Sequence, residues 1–352
     1  MNKRALKFLE ALATPHGMDR YLELVSPMLT VRELRAVVTR VERSTAHSVT
    51  LTLRPTRQWR GFQAGQFVQL AVDIDGVRRT RCYSPSSSQH RADRRIELTV
   101  KAQGEVSRYL YAHAQPGLVV GLSQAGGAFR LPTPRPERIV LISGGSGITP
   151  VLAMLRTLLD ERYAGEIVFL HYAPTEPEVP QLSALRRLVV SNLRLVLAYT
   201  QARSGGDLYG HFDETHLAEI APWYVDATTF LCGPAGLMAA VRAHYAAKGI
   251  EQTLHTEEFT PPALSAADGT ATGSIRFGDV VVDNSGVTLL EQAEAAGLTP
   301  DYGCRMGICF TCTKVKTSGC TRNVRTGETN SDPDVEVQLC ISAPVGDVAI
   351  DL

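Results

Sequence analysis

Cysteine is distributed very unevenly along this chain, and its distribution is the strongest constraint on the fold. Five of the seven cysteines lie in the last 49 of 352 residues, at positions 304, 309, 312, 320 and 340. The sequence has no apolar run long enough for a membrane span and no secretory cleavage pattern at its N-terminus, so we expect a cytoplasmic protein. Cytoplasmic proteins rarely form structural disulfides. The cysteine cluster therefore predicts a metal site.

Four of these cysteines are spaced as metal ligands. Cys304, Cys309 and Cys312 share one loop, with four and two residues between them, and 27 residues separate the third from Cys340. Three thiolates in a single loop and a fourth from a distant strand form the ligand set of a plant-type 2Fe-2S cluster. A structural zinc site is the alternative, but it usually pairs two Cys-x-x-Cys knuckles and this chain has only one. The spacing favours the iron–sulfur cluster.

The loop between residues 302 and 312, YGCRMGICFTC, also resembles that of plant-type ferredoxins. The resemblance includes Arg305 and Gly307 between the first two ligands, and it covers residues 274–352. The glycines at 303 and 307 let the backbone fold tightly, so that amide groups can point at sulfur. Cys320 lies outside the pattern and is predicted to be an ordinary residue.

Charge is also divided along the chain. The 36 basic and 36 acidic side chains give a formal net charge of zero, which argues against a nucleic-acid-binding protein. Residues 261–352, however, hold six basic and twelve acidic residues, a net charge of −6, so residues 1–260 carry a net charge of +6. This asymmetry predicts separate modules with different surface roles.

Three sequence patterns follow one another along the chain. Short alternating or β-branched runs extend from residue 31 to about residue 131 and predict an all-β barrel or sandwich. From residue 138 onwards, buried strands alternate with helical patterns, which predicts a parallel sheet covered on both faces. We predict an N-terminal arm (1–30), a β domain (31–134), an α/β domain (135–259), a linker rich in Pro, Ala, Thr and Gly (260–273) and the cysteine-rich domain (274–352).

Two short motifs in the β domain suggest a nucleotide site. In the sequence RCYS, Arg81 suits a pyrophosphate, and Tyr83 and Ser84 suit a flat ring, although Tyr83 would ordinarily be a half-buried strand residue. Some twenty residues later, GEVS places Gly104 and Ser107 at the predicted start of a helix, where free amide groups favour phosphate.

Two further motifs follow strands of the α/β domain. In SGGSGITP the glycines at 145 and 147 have the context of a dinucleotide site but depart from G-x-G-x-x-G, and we expect Thr149 to cap the next helix and Pro150 to occupy its first position. A glycine-rich turn that binds nothing is the alternative. In LCGPAG, Cys232 can line a nicotinamide pocket or be a small buried hydrophobic residue.

The order of these motifs resembles the ferredoxin-NADP reductase superfamily, in the group with a C-terminal plant-type ferredoxin, over residues 31–352. The resemblance implies an antiparallel β-barrel FAD domain, an α/β parallel-sheet nucleotide-binding domain and an α+β β-grasp ferredoxin domain. It implies that Ser84 and Cys232 are the catalytic residues. The cofactor-binding residues that it implies are Arg81, Tyr83, Ser84, Gly104, Val106 and Ser107 for FAD, and Gly144, Gly145, Gly147, Thr149, Cys232, Gly233 and Pro234 for the nicotinamide dinucleotide. It also implies that Phe259 covers the other flavin face, whereas a plain linker anchor is the alternative.

The combination of cofactors predicts an electron path. NAD(P)H gives up two electrons as hydride and a 2Fe-2S cluster takes one, so FAD must link them, and the cluster then reduces an acceptor protein. The layout and residues 48–70 resemble reductases of membrane-bound fatty-acid (acyl) desaturases, while the reductase of an aromatic-ring or alkane oxygenase is the alternative. A redox sensor or electron-storage protein is an alternative of another class, against which the intact glycines argue.

Cofactor preference and membrane contact are further expectations. Residues 174–180 carry two glutamates and no basic residue, which favours NADH, whereas Arg203 can meet the 2′-phosphate of NADPH, and the resemblance tips the prediction to NADPH. The arm has an apolar stripe between residues 5 and 12 with Lys3, Arg4 and Lys7 nearby. This stripe can touch the inner face of the membrane or the partner, or it can simply pack on its own protein.

Overall fold

The structure is a computed structural model that describes residues 18–31, 33–188, 190–259 and 272–352. The chain divides into two compact units, the first ending at Glu258 and the second beginning at Phe259. The apolar stripe predicted between residues 5 and 12 and residues 260–271 of the predicted linker lie outside the described residues. Within the described ranges, no helix has the length and apolar character needed to cross a membrane.

The first sheet of the first unit is antiparallel, as the alternating pattern predicts. Its order is β4-β3-β6-β1-β2-β5. The chain directly after β4 bridges β5 through Pro85 and Leu98, which brings the two edge strands together and closes the sheet into a barrel. Val49, Leu51 and Leu53 of β2 are fully buried in its core. The strands are β1 (Arg35–Thr45), β2 (Ser48–Pro55), β3 (Val68–Ile74), β4 (Val77–Tyr83), β5 (Ile96–Lys101) and β6 (Val119–Leu122).

Two helices accompany this sheet. Helix α2 (Glu105–His113) joins β5 to β6. Helix α1 (Met18–Val25) is not anticipated by the sequence pattern, because Gly17 and Pro27 frame it closely. The Asp19 carboxylate accepts hydrogen bonds from the amide groups of Val31 (2.5 Å) and Glu33 (2.8 Å), which attaches the helix to the chain just before β1.

The second sheet of the first unit is parallel. Its strand order is β10-β9-β8-β7-β11-β12. From β7 the chain adds β8, β9 and β10 on one side, and it then returns to add β11 and β12 on the other side of β7. In such sheets, ligands bind beyond the carboxyl ends of the strands at this switch point. Its strands are β7 (Arg138–Gly144), β8 (Glu166–Ala173), β9 (Leu193–Tyr199), β10 (Leu208–Tyr209), β11 (Thr228–Cys232) and β12 (Leu254–Glu257). Its helices are α3 (Ile148–Asp160), α4 (Leu182–Leu185), α5 (Glu214–Ile220) and α6 (Ala235–Lys248).

The described part of the second unit contains a mixed sheet and one short α-helix, the arrangement of a β-grasp domain. Strands β13 and β18 are parallel, while the other pairs are antiparallel. Helix α7 (Leu289–Ala295) begins with a capping box between Thr288 and Glu291, and its buried leucines pack in the core of the unit. The strands are β13 (Ser274–Phe277), β14 (Val280–Asp283), β15 (Thr313–Asn323), β16 (Thr329–Asn330), β17 (Val335–Gln338) and β18 (Ser342–Asp351).

Candidate functional site

The residues of the RCYS motif lie at the end of β4. Tyr83 is the last residue of the strand, it packs against the barrel core, and its burial raises its pKa. Arg81 Nη1 donates to the Thr80 carbonyl at 2.8 Å. Ser84 is only 2% exposed, and its hydroxyl has no hydrogen-bond partner among the described residues. Because an unmatched buried hydroxyl is unfavourable, this position fits a bound group that offers a polar ring atom, as the flavin does.

The GEVS motif begins helix α2, as the sequence predicts. Gly104 is the N-terminal capping residue, and the Ser107 hydroxyl accepts hydrogen bonds from the amide groups of Gln103 (3.0 Å) and Gly104 (2.8 Å). The amide groups of Val106 and Ser107 belong to the first turn, where helix geometry provides no intrahelical acceptor. This helix end can therefore receive a phosphate group.

The glycines after β7 are required by a close approach of two strand ends. A Cβ atom on Gly147 would lie 2.2 Å from the carbonyl oxygen of Cys232, and one on Gly144 would lie 2.8 Å from Cδ of Pro234. Gly145 has a φ of +52°, the left-handed region that favours glycine. A Cβ on Gly233 would lie 2.9 Å from the Leu237 side chain. The two predicted dinucleotide motifs therefore pack directly against each other at the switch point.

The expectation that Thr149 caps the helix and that Pro150 occupies its first position is wrong. A 3₁₀ turn of Gly145–Gly147 runs directly into α3, which begins at Ile148. Thr149 is then the second helical residue, and its hydroxyl donates to the Ser146 carbonyl (3.3 Å) instead of accepting from an amide. The reason is that Gly147 already has right-handed helical backbone angles (φ −65°, ψ −4°), so the helix starts earlier than the motif suggested.

A cavity of about 400 Å³ lies beyond the switch point. Its walls include Gly144, Gly145 and Pro234 from the predicted motifs, and Lys101 and His211, which the sequence analysis missed. Lys101 ends β5 of the barrel, so a residue from one sheet reaches the site of the other, and no motif signals it except its position three residues before Gly104. The remaining lining residues are Tyr172, Ala173, Pro174, Thr200, Phe212, Gly236, Leu237 and Ala240.

The two other predicted dinucleotide residues in this unit have contrasting environments. Arg203 is exposed in the loop between β9 and β10, three residues beyond Thr200 of the cavity wall. Cys232 is fully buried at the end of β11, and burial raises the pKa of its thiol well above the usual value. Cys232 is not among the residues that line the cavity, and its neutral thiol does not suit nucleophilic chemistry, which needs the thiolate. Phe259, predicted to cover the flavin, is the first residue of the second unit and follows β12 by two residues.

The cysteine loop of the second unit is folded around sulfur. The amide of Cys304 donates to Sγ of Cys309 (3.1 Å), and the amides of Met306 and Ile308 donate to Sγ of Cys304 at 3.2 and 3.4 Å. Gly307 has a φ of +75°, and a Cβ there would lie 2.6 Å from the Ile341 side chain. Amide groups that point at sulfur stabilise thiolates, which is the environment that an iron–sulfur cluster needs.

Cys312 and Cys340 complete the set. The two thiols are hydrogen-bonded to each other, which lowers the pKa of Cys312 to about 7, and the neighbouring sulfurs of Cys304 and Cys312 raise the pKa of Cys340. All seven cysteines lie in the described ranges, and none forms a disulfide there. Cys320 is on β15, half-buried and outside the loop. The four predicted ligands therefore converge, and their thiols are available for iron.

Two arginines anchor the cysteine loop, Arg305 from within it and Arg325 from outside it. The Arg305 guanidinium forms a two-pronged ion pair with Glu294 of α7 and lies 3.9 Å from the ring centre of Tyr302. Arg325 Nη1 donates to the Met306 carbonyl at 3.0 Å. The side chains that surround the loop thus fix its backbone independently of the thiols.

Comparison with known proteins matches three stretches of the chain to families. Residues 36–131 match an oxidoreductase FAD-binding domain, residues 141–243 an oxidoreductase NAD-binding domain and residues 276–345 a 2Fe-2S iron-sulfur cluster binding domain. FAD, a nicotinamide dinucleotide and a 2Fe-2S cluster are therefore its cofactors. The fold and its sites define an iron–sulfur flavoprotein oxidoreductase.

Full-length relatives agree with this class. The chain is 35% identical to an NADPH oxidoreductase of Mycobacterium tuberculosis over 98% of this chain and 91% of the relative. It is 30% identical to the stachydrine N-demethylase reductase subunit of Rhizobium meliloti, over 82% of this chain and 87% of the relative. The solved structure of phthalate dioxygenase reductase has the same fold, with a TM-score of 0.63 at 21% identity, over 91% of this chain and 98% of that one. The chain belongs to the ferredoxin-NADP reductase superfamily, in the group with a C-terminal plant-type ferredoxin domain.

Proposed function

We propose that this chain takes electrons from NADPH at the cavity on the parallel sheet and delivers them singly to an acceptor protein that activates oxygen. A bound FAD supplies the exchange between a two-electron hydride and single electrons. The observation that best supports this proposal is the packing of Gly144 against Pro234, because these residues come from the two dinucleotide motifs and both line the cavity.

The proposed roles of the residues follow from their surroundings. Ser84 would offer its unmatched hydroxyl to the flavin ring, and Tyr83 would pack beside it. Arg81 and the first-turn amides of α2, including Val106 and Ser107, would hold the pyrophosphate. None of these roles needs an acid–base pair, because the work of the protein is to place two rings within reach and exclude water.

For the dinucleotide we propose NADPH rather than NADH. The relative in M. tuberculosis is named an NADPH oxidoreductase, and Lys101 and Arg203 offer positive charge at and near the cavity. Glu176, one of the two glutamates that favoured NADH, pairs with Arg186 at 2.7 Å, which offsets its charge. The Arg203→Ala variant is expected to raise the KM for NADPH and leave that for NADH unchanged. If wild type and variant had the same KM for NADPH, Arg203 would have no role in binding the dinucleotide.

Two acceptors are candidates. Relatives named as reductase subunits of stachydrine N-demethylase and glycine betaine monooxygenase, 30% and 29% identical, favour an oxygenase component. The resemblance of residues 48–70 to reductases of membrane-bound acyl desaturases favours the second candidate, an acyl desaturase.

Steady-state reduction of cytochrome c and ferricyanide by NADPH and by NADH tests the reductase function. Turnover with neither dinucleotide would refute it. The acceptor is tested by co-expression with an oxygenase component and, separately, with an acyl desaturase, with hydroxylated product and new double bonds measured. Double-bond formation without hydroxylation would identify the desaturase as the acceptor. Hydroxylation without double-bond formation would identify the oxygenase component.

A further inference from the structure

A short segment directly after Ser84 lies between the two sheets of the first unit. It comprises residues 85–89 and is called here the flavin-side segment. On one side the Ser86 amide donates to the Glu97 carbonyl of β5 at 2.8 Å. On the other side it meets α3 of the parallel sheet. The segment that presents Ser84 is therefore held by both halves of the unit.

Arg156 of α3 is the centre of this contact. Its Nη1 donates to the Ser86 carbonyl (2.8 Å) and to Oε2 of Glu97 (3.1 Å), and its Nη2 donates to Oε1 of Gln181 (2.7 Å). The side chain is only 17% exposed. A guanidinium with both ends of its fork bonded to such acceptors has a single orientation, which an ammonium group cannot reproduce.

Gln181 completes the contact from the other side of the guanidinium. Its Nε2 donates to the Ser86 hydroxyl (3.1 Å) and to the Thr99 hydroxyl of β5 (2.7 Å). Its backbone has a φ of +56°, a left-handed conformation that is unfavourable for a residue with a side chain. Such conformations persist where the surroundings impose them, often at functional sites. Here the three side-chain hydrogen bonds of Gln181 provide that constraint.

The contact connects the two cofactor sites mechanically. Helix α3 begins at Ile148, directly after the glycine turn of the dinucleotide site, and Arg156 lies eight residues further on, about 12 Å along the helix axis. We propose that Arg156 and Gln181 are positioning residues for hydride transfer: they fix the flavin-side segment to the helix that carries the dinucleotide turn. The inference rests on the proposed roles of Ser84 and that turn.

Other contacts made by α3 and by Glu161, the residue that follows it, are less suited to the role. His90 and Arg135 both pair with Glu161, at 2.8 and 2.7 Å, but near the surface, where ion pairs contribute little. The Gln89 amide donates to the Thr157 hydroxyl at 3.2 Å, a single bond. Among the residues that the structure describes, only Arg156 and Gln181 connect Ser86 to both halves of the first unit through several hydrogen bonds.

The test is anaerobic stopped-flow reduction of the FAD-loaded full chain by NADPH. Arg156→Lys keeps the charge opposite Glu97 and removes the fork, and Gln181→Gly removes the amide and tolerates the left-handed backbone. In both variants the limiting rate of flavin reduction is expected to fall about tenfold or more, because small misplacements of reacting atoms are costly. The dissociation constant for NADPH should change by less than about twofold, and the charge-transfer absorbance between nicotinamide and flavin should weaken.

Arg138→Lys is the matched control. Arg138 pairs with Glu166 at the opposite end of the parallel sheet, and this variant should reduce its flavin at the wild-type rate. Wild-type limiting rates in FAD-loaded Arg156→Lys and Gln181→Gly would overturn the inference. If Arg156→Lys fails to retain FAD, Gln181→Gly alone decides. Failure of the wild type to be reduced by NADPH or NADH would instead overturn the proposed function.

Discussion

The two units of the chain prepare their cofactor sites by different means. In the second unit, three sulfurs of one loop meet a fourth from a distant part of the chain, and backbone amides point at them. In the first unit, the candidate sites are made of strand ends, glycines without side chains, first-turn amides and one unmatched hydroxyl. One site depends on the identity of four atoms, and the other depends on shape. Substitutions should therefore abolish the first kind of site and distort the second.

The largest effect is expected from Cys309→Ala. Three thiols cannot complete the ligand set of the cluster, so the visible absorbance and the electron paramagnetic resonance of the cluster should disappear, together with electron delivery to the acceptor protein. Ferricyanide reduction, which can draw on the flavin directly, should persist. Cys320→Ser is the control, because Cys320 lies outside the loop. Loss of the cluster in Cys320→Ser would contradict the ligand assignment.

The next largest effect is expected from Gly147→Ala. The added Cβ would lie 2.2 Å from a backbone oxygen, which no side-chain rotation can relieve. The free energy of unfolding should fall by about 1–3 kcal/mol and the KM for NADPH should rise as β7 and β11 separate. Gly126→Ala is the control, because its nearest contact would be 3.9 Å. An unchanged KM in Gly147→Ala would show that the glycine turn serves only packing.

A smaller, more selective effect is expected from Ser84→Ala. The hydroxyl has no partner among the described residues, so its removal should leave thermal stability unchanged or slightly raised. The rate of flavin reduction should fall by about tenfold at most, the value of one hydrogen bond. Thr229→Val is the control: its buried hydroxyl is hydrogen-bonded to that of Tyr245 (2.7 Å) near the start of β11, away from the flavin-side segment, so stability should fall while the rate in folded protein is kept. The opposite pattern would exclude Ser84 from the flavin site.

The smallest effect is expected from salt. The net charge of −6 on residues 261–352 suits a basic acceptor surface, and exposed charges of this kind mainly affect association rates. Raising ionic strength should therefore slow electron delivery to the acceptor protein more than flavin reduction by NADPH. Equal sensitivity of both steps would argue against an electrostatic role for the second unit.

The same contrast explains what the sequence could predict. The cysteine ligands are recognisable because the spacing of thiols is written directly in the chain, and the strands follow from alternation and buried runs. Lys101 of the cavity could not be found, because it comes from a neighbouring sheet. Arg156 contacts Ser86 across 70 residues, and Gln181 contacts it across 95, so no local pattern reveals them. Helix α1 was missed because its flanking Gly and Pro resemble a loop.

The boundary between Glu258 and Phe259 has a consequence for the gene. A single recombination event near that codon would exchange the acidic iron–sulfur unit and leave every proposed flavin and NADPH residue except Phe259 in place. The FAD/NAD-binding domain of a nitric oxide dioxygenase from Vibrio cholerae matches 65% of this chain, with a TM-score of 0.60 at 27% identity, and it belongs to a protein named for a different reaction. A lineage could thus change the acceptor by replacing one cassette, and the reducing half would need no new mutations.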